Sequence, residues 1–71
     1  MKIVANNYQV QDVMRIIREW TELTQKEFAK SVNRSRDGIQ KYESGKRKIT
    51  FETFMMFCRK HNIKVTIEKI K

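Results

Sequence analysis

Seventy-one residues with 39% hydrophobic content, two glycines and no proline suit one compact domain, near the lower size limit for a stable lone core. Sixteen basic against eight acidic side chains leave a formal charge of +8, which favours a polyanionic partner. The longest apolar run, Phe54–Cys58, falls far short of the ~20 residues of a membrane span, and a single Cys with a single His excludes an internal disulfide and a metal or catalytic cluster.

The N-terminus lacks a continuous apolar segment with a small-residue cleavage site, so a cytoplasmic protein is expected. No Gly-rich phosphate loop occurs. Cys58 falls on an apolar face and His61 near a helix end, and Glu19 and Glu22 are an ordinary surface pair. Neither an enzyme nor a cofactor site is expected.

In chain order, Met1–Ala5 alternates weakly, and Lys2-Ile3-Val4 forms either a short strand or a loose end before Asn6-Asn7 breaks the pattern. Val10, Val13, Met14 and Ile17 then fall at i, i+3, i+4 and i+7, one stripe of an amphipathic helix over about 9–21, widened by Ile16 and Trp20. Thr24 with Glu27 forms a capping box for a second helix, 24–32, whose apolar face is Phe28, Ala29 and Val32. Asn33 suits the left-handed stop. Ser35 caps a third helix, 35–44, with Ile39 and Tyr42 facing inward and Gly45 ending it. Two short helices about a tight turn are the helix-turn-helix pattern, whose second helix enters the DNA major groove. Gly38 inside that helix either costs ~1 kcal/mol of propensity or lets the backbone approach a ligand closely.

Lys46-Arg47-Lys48 lies in a loop, and Thr50 caps a fourth helix over 51–61 with Glu52 in its first turn. Its expected core face is Phe51, Phe54, Met55 and Cys58. Because Phe54-Met55-Met56-Phe57-Cys58 is apolar all round, Met56 or Phe57 is expected to face a second subunit. After His61-Asn62, Ile63–Glu68 alternates apolar and polar, which predicts a half-buried strand over 63–69. A lone strand needs a partner. Either Lys2–Ala5 of the same chain or the same strand of a twofold-related copy would serve.

L-T-Q-x-E-F-A at Leu23–Ala29, I-x-K-Y-E-x-G at Ile39–Gly45 and the K-R-K that follows resemble the Cro/CI-type helix-turn-helix repressors of the XRE family, a likeness extending from about Val13 to Ile63. Asn33 stands where that family usually has Gly, Arg34 where a small apolar residue packs, and Ile49 where Pro is frequent. The resemblance implies a mainly α fold: a small four-helix, lambda-repressor-like domain with a short C-terminal strand. Relatives carrying such a strand, antitoxin-type repressors among them, use it as an intersubunit ribbon. A homodimer held by Met56, Phe57, Ile63, Val65 and Ile67 is therefore expected.

Seven basic and two acidic residues lie between Lys30 and Lys48, so that segment carries +5 of the +8. Carried over from the family, the base readers fall on Arg36, Asp37 and Lys41, with Gln40 adjacent. Arg36 can donate two bonds to guanine O6 and N7, and Asp37 can accept from cytosine N4. Phosphate contacts fall on Thr24, Gln25, Ser44, Lys46 and Lys48, joined by Arg47, Ser35 and Arg34. The resemblance also pairs Arg18 with Glu43 as a structural ion pair. The expected partner is double-stranded DNA, read as a two-half-site operator by a repressor without a small-molecule domain. The other class is an antitoxin-type module that grips a toxin protein. RNA is disfavoured, since the aromatics lie mostly on core faces and leave no stacking platform.

Overall fold

The computed structural model describes residues 1–71 and contains four helices: α1 (Val10–Thr21), α2 (Gln25–Ser31), α3 (Arg36–Ser44) and α4 (Phe51–Lys60), preceded by one 3-10 turn at Ala5–Asn7. The N-caps are Gln9, Thr24, Ser35 and Thr50. At three of them a side-chain oxygen closes the helix start: Thr24 Oγ1 accepts from Glu27 N–H at 3.1 Å, Ser35 Oγ from Gly38 N–H at 3.0 Å and Thr50 Oγ1 from Thr53 N–H at 3.0 Å. Glu27 returns the favour by accepting from Thr24 N–H at 2.9 Å, which completes the capping box.

The helix ends are also built from backbone geometry. Asn33 (φ 61°) lets Arg34 N–H reach Ala29 O at 2.9 Å, and Asn62 (φ 57°) lets Ile63 N–H reach Cys58 O at 2.8 Å. These are the long bonds of Schellman endings, satisfying carbonyls that the helices leave free. Gly45 ends α3 at φ 82°, a conformation that penalises a Cβ.

Nine side chains make the core: Val13, Met14 and Ile17 from α1, Phe28, Ala29 and Val32 around α2, Ile39 from α3, and Phe57 and Cys58 from α4. Phe57 stands edge-on to Phe28 with ring centroids 5.5 Å apart and also meets Tyr42 at 6.3 Å. It is therefore a central core residue, not the subunit contact expected of it. The inward face of α4 is Phe54, Phe57, Cys58 and His61, one turn later than the stripe beginning at Phe51, which is 66% exposed. A wholly apolar run carries no phase; docking of α4 against Phe28 and Tyr42 sets it. Met56 is half-buried against the same core.

No strand forms over 63–69. Ile63 packs on the core, whereas Val65, Ile67 and Ile70 are exposed, and no backbone hydrogen bond involves residues 64–71. Lys2–Val4 forms no strand either, although Met1 and Lys2 lie beside Lys64, Thr66 and Glu68. Side-chain alternation supplies an amphipathic segment, but without ladder bonds there is no sheet.

Candidate nucleic-acid interface

α2 and α3 pack against each other more extensively than any other pair of helices. The turn between them, Val32–Ser35, is fixed by the left-handed Asn33 at one end and the Ser35 cap at the other. α3 therefore leaves the turn with its first residues exposed. Gly38, Ile39 and Tyr42 face the protein; Asp37, Gln40, Lys41 and Ser44 fall at i, i+3, i+4 and i+7 along the opposite stripe, with Arg36 at its edge.

The orientation of α3 is locked through Glu43, whose side chain is only 6% exposed. Its carboxylate accepts from Arg18 Nε at 2.6 Å and Nη2 at 2.9 Å, a bidentate charge-assisted pair joining α1 to α3. Arg18 Nη1 also donates to Leu23 O at 2.9 Å, which fixes the linker before α2. Glu43 pushes the guanidinium further up from its ordinary pKa, against the desolvation of burial. Gln25 Nε2 donates to Glu43 Oε1 at 3.2 Å, so this side chain is turned inward. Any phosphate contact at Gln25 falls to its backbone.

On the outward stripe, Asp37 pairs with Lys41 at 3.0 Å and not with Arg36, which has no acidic partner. The hydrogen bond from Lys41 holds the Asp37 carboxyl below its ordinary value, with smaller contributions from the nearby charges of Arg47 and Arg36. Gly38 is buried: a Cβ there would lie 3.3 Å from Ser35 Oγ and 3.9 Å from Arg47 Nη1. The backbone at Gly38 is thus covered by the protein's own groups and offers no approach to a ligand. Arg47 N–H donates to Lys41 O at 3.2 Å, and its guanidinium folds back over the first turns of α3. Lys46 and Lys48 are exposed in the loop after α3, and Ser44 at the end of α3 and the caps Ser35 and Thr24 are exposed too.

Lys30 lies in the basic segment that the sequence marks out, but neither it nor Lys26 is among the expected DNA contacts. Lys26 and Lys30 stand one turn apart on the outer face of α2, exposed, and together with Arg34 and Arg36 they line an open groove. Their i, i+4 spacing, on the side of α2 away from Phe28, is the signal that could have found them.

A two-helix motif with a rigid turn, an exposed polar stripe on its second helix and uncompensated positive charge on both sides defines a helix-turn-helix DNA-binding domain. The helix-turn-helix family model matches residues 14–67, and the chain belongs to that family, in its Cro/CI (XRE) type, whose members are DNA-binding transcription regulators. No curated protein and no solved structure gives a significant match. No helix is long and apolar enough to cross a membrane.

Proposed function

We propose that the protein is a transcriptional repressor that binds a two-half-site operator as a dimer, with α3 lying in the major groove of each half-site. The observation that carries this reading is the outward stripe of α3. Arg36 is free to donate to a guanine edge, and Asp37 and Lys41 lie one turn apart beside it, on a helix whose angle is set by the Arg18–Glu43 pair. Thr24, Arg34, Ser35, Ser44, Lys46 and Lys48 flank the stripe and would hold phosphates on either side, which positions α3 without reading sequence. Arg47, folded over α3, adds charge close to the same edge. Occupying a promoter then excludes polymerase. The dimer contact would come from the residues that the lone chain leaves uncovered, Val65 and Ile67, continuing from Met56 and Ile63.

The test is a binding series on a duplex obtained by in-vitro selection. Arg36→Ala should cost ~1–3 kcal/mol per half-site and relax preference at one base pair of each, whereas Lys46→Ala should weaken all duplexes alike and lower the salt slope by about 2, one phosphate per half-site. If selection returns no preferred duplex and both variants weaken binding equally, the sequence-reading role fails. A protein partner of the toxin kind would then be the object of search.

A further inference from the structure

Six cations stand apart from the reading stripe: Lys2, Arg59, Lys60, Lys64, Lys69 and Lys71, all exposed and none in an ion pair. Glu68 is the one acid among them. They belong to the back of the domain. Phe57 of α4 meets Tyr42 on the inward face of α3, so α4 is packed on the side turned from Asp37, Gln40 and Lys41. Ile3 and Ile63 both pack on the core and pin the two ends of the chain side by side, where Met1 and Lys2 share an open groove with Lys64, Thr66 and Glu68. Alternate side chains of an extended chain point to opposite sides. With Ile3 and Ile63 turned inward, Lys2 and Val4, then Lys64, Thr66, Glu68 and Ile70, fall on the outer side, and the shared groove follows that alternation. Val65 and Ile67, the proposed dimer contact, belong to the other side, so a dimer leaves this outer face uncovered. Its apolar members Met1, Val4 and Ile70 are 94, 59 and 89% exposed.

We propose that this face docks on an anionic phospholipid surface. Met1, Val4 and Ile70 enter the boundary of the acyl chains, and the cations around them meet the headgroup phosphates. Composition selects lipid over other polyanions. The patch holds five lysines to one arginine and no aromatic residue, whereas protein interfaces are depleted of lysine and centre on aromatic anchors. A duplex would leave Val4 and Ile70 in water, because phosphates offer an aliphatic side chain nothing. A lipid surface uses both kinds of side chain: aliphatic groups are buried, and lysine stems lie along them and carry their ammonium groups out to the phosphates. Such docking is peripheral and reversible, and a dimer that presents the face twice holds more tightly. The inference goes beyond the DNA-binding reading and does not depend on which duplex α3 reads.

Co-sedimentation of the full chain with vesicles of phosphatidylcholine, alone or with about one third phosphatidylglycerol, tests it. Wild type should pellet with the anionic vesicles, stay in solution with the neutral ones, and be released as salt rises from about 50 to 500 mM. Lys64→Gln/Lys69→Gln/Lys71→Gln and Val4→Ser/Ile70→Ser should each lower the bound-to-free ratio by about tenfold or more. Helical circular dichroism and duplex affinity should stay at wild type for both, since these side chains lie outside the core and the reading stripe. Wild type that fails to pellet with anionic vesicles overturns the proposal. Wild-type pelleting by Val4→Ser/Ile70→Ser also overturns it, reducing the effect to the general attraction of a basic chain. Wild-type pelleting by the triple lysine variant does so too, by assigning the vesicles to the Lys30–Lys48 segment. Tighter binding of wild type to polyglutamate than to anionic vesicles would replace the lipid with an acidic protein.

Discussion

Glu43 gathers donors from two helices onto one carboxylate, two from Arg18 on α1 and one from Gln25 on α2. Truncating it strands the Arg18 guanidinium, which is 16% exposed, with Leu23 O as its remaining partner. Glu43→Ala should therefore destabilise the domain by ~3 kcal/mol, because an uncompensated, largely desolvated charge costs more than the pair contributes. For a domain of this size each kcal/mol lowers Tm by about 4–8 °C, so the loss is large in a thermal melt. Glu43→Gln, which keeps an acceptor, should fall between the two. A melt identical to wild type for Glu43→Ala would sink the locking role. Arg18 and Glu43 stand 25 positions apart, and no local pattern joins them; family resemblance alone suggested the pair. The inward turn of Gln25 was not legible in the sequence at all, because it depends on where α3 brings Glu43. Arg36 was legible as exposed and basic, but its freedom was not, since Asp37 could have paired with either neighbour.

At the scale of elements, α2 and α4 are joined by His61. Its imidazole stacks on Phe28 with ring centroids 4.9 Å apart, and Nε2 lies 2.8 Å from Ser31 Oγ. The Ser31 hydroxyl donates to Phe28 O at 2.6 Å, so its oxygen is left to accept from Nε2–H, which fixes the tautomer. Burial, reinforced by the charge of Lys60, holds His61 below its ordinary pKa. The unfolded chain thus takes up this proton more readily than the folded one. Stability from this site is complete above about pH 6.5 and declines as pH falls through that value. The depressed carboxyls of Glu27 and Asp37 titrate lower, and their contribution fades only below about pH 4.5. Thermal melts between about pH 7.5 and 5 should show a fall for wild type that His61→Gln flattens; parallel curves would contradict it. Helix starts were readable because Thr24, Ser35 and Thr50 each announce a cap by residue type. The rotation of α4 was not, because five consecutive apolar residues fit any phase and only the rings of Phe28 and Tyr42 select Phe57.

As a whole, the molecule extends 40 × 25 × 19 Å, with nine hydrophobic side chains forming its core. A core so small leaves the domain marginal, and apolar surface outside it is correspondingly conspicuous: Ile67 is 84% and Ile70 89% exposed. Sedimentation equilibrium at micromolar concentration should find a dimer, and deleting residues 64–71 should give a monomer with its helical circular dichroism intact. An intact chain that sediments as a monomer would defeat the dimeric operator model. The sequence shows the alternation in Ile63–Glu68 plainly. What it does not carry is the partner whose backbone would turn that alternation into a ladder, and the helical part of the chain supplies none.

The bond between Asp37 and Lys41 has a statistical consequence. Each group is the other's occupant in the free protein, so a base edge that draws one away releases the other. In the proposed complex, preferences at the two base pairs they would face are then not independent letters. Among selected sites those pairs should covary, and a recognition profile that scores each position separately will misrank operators at that step.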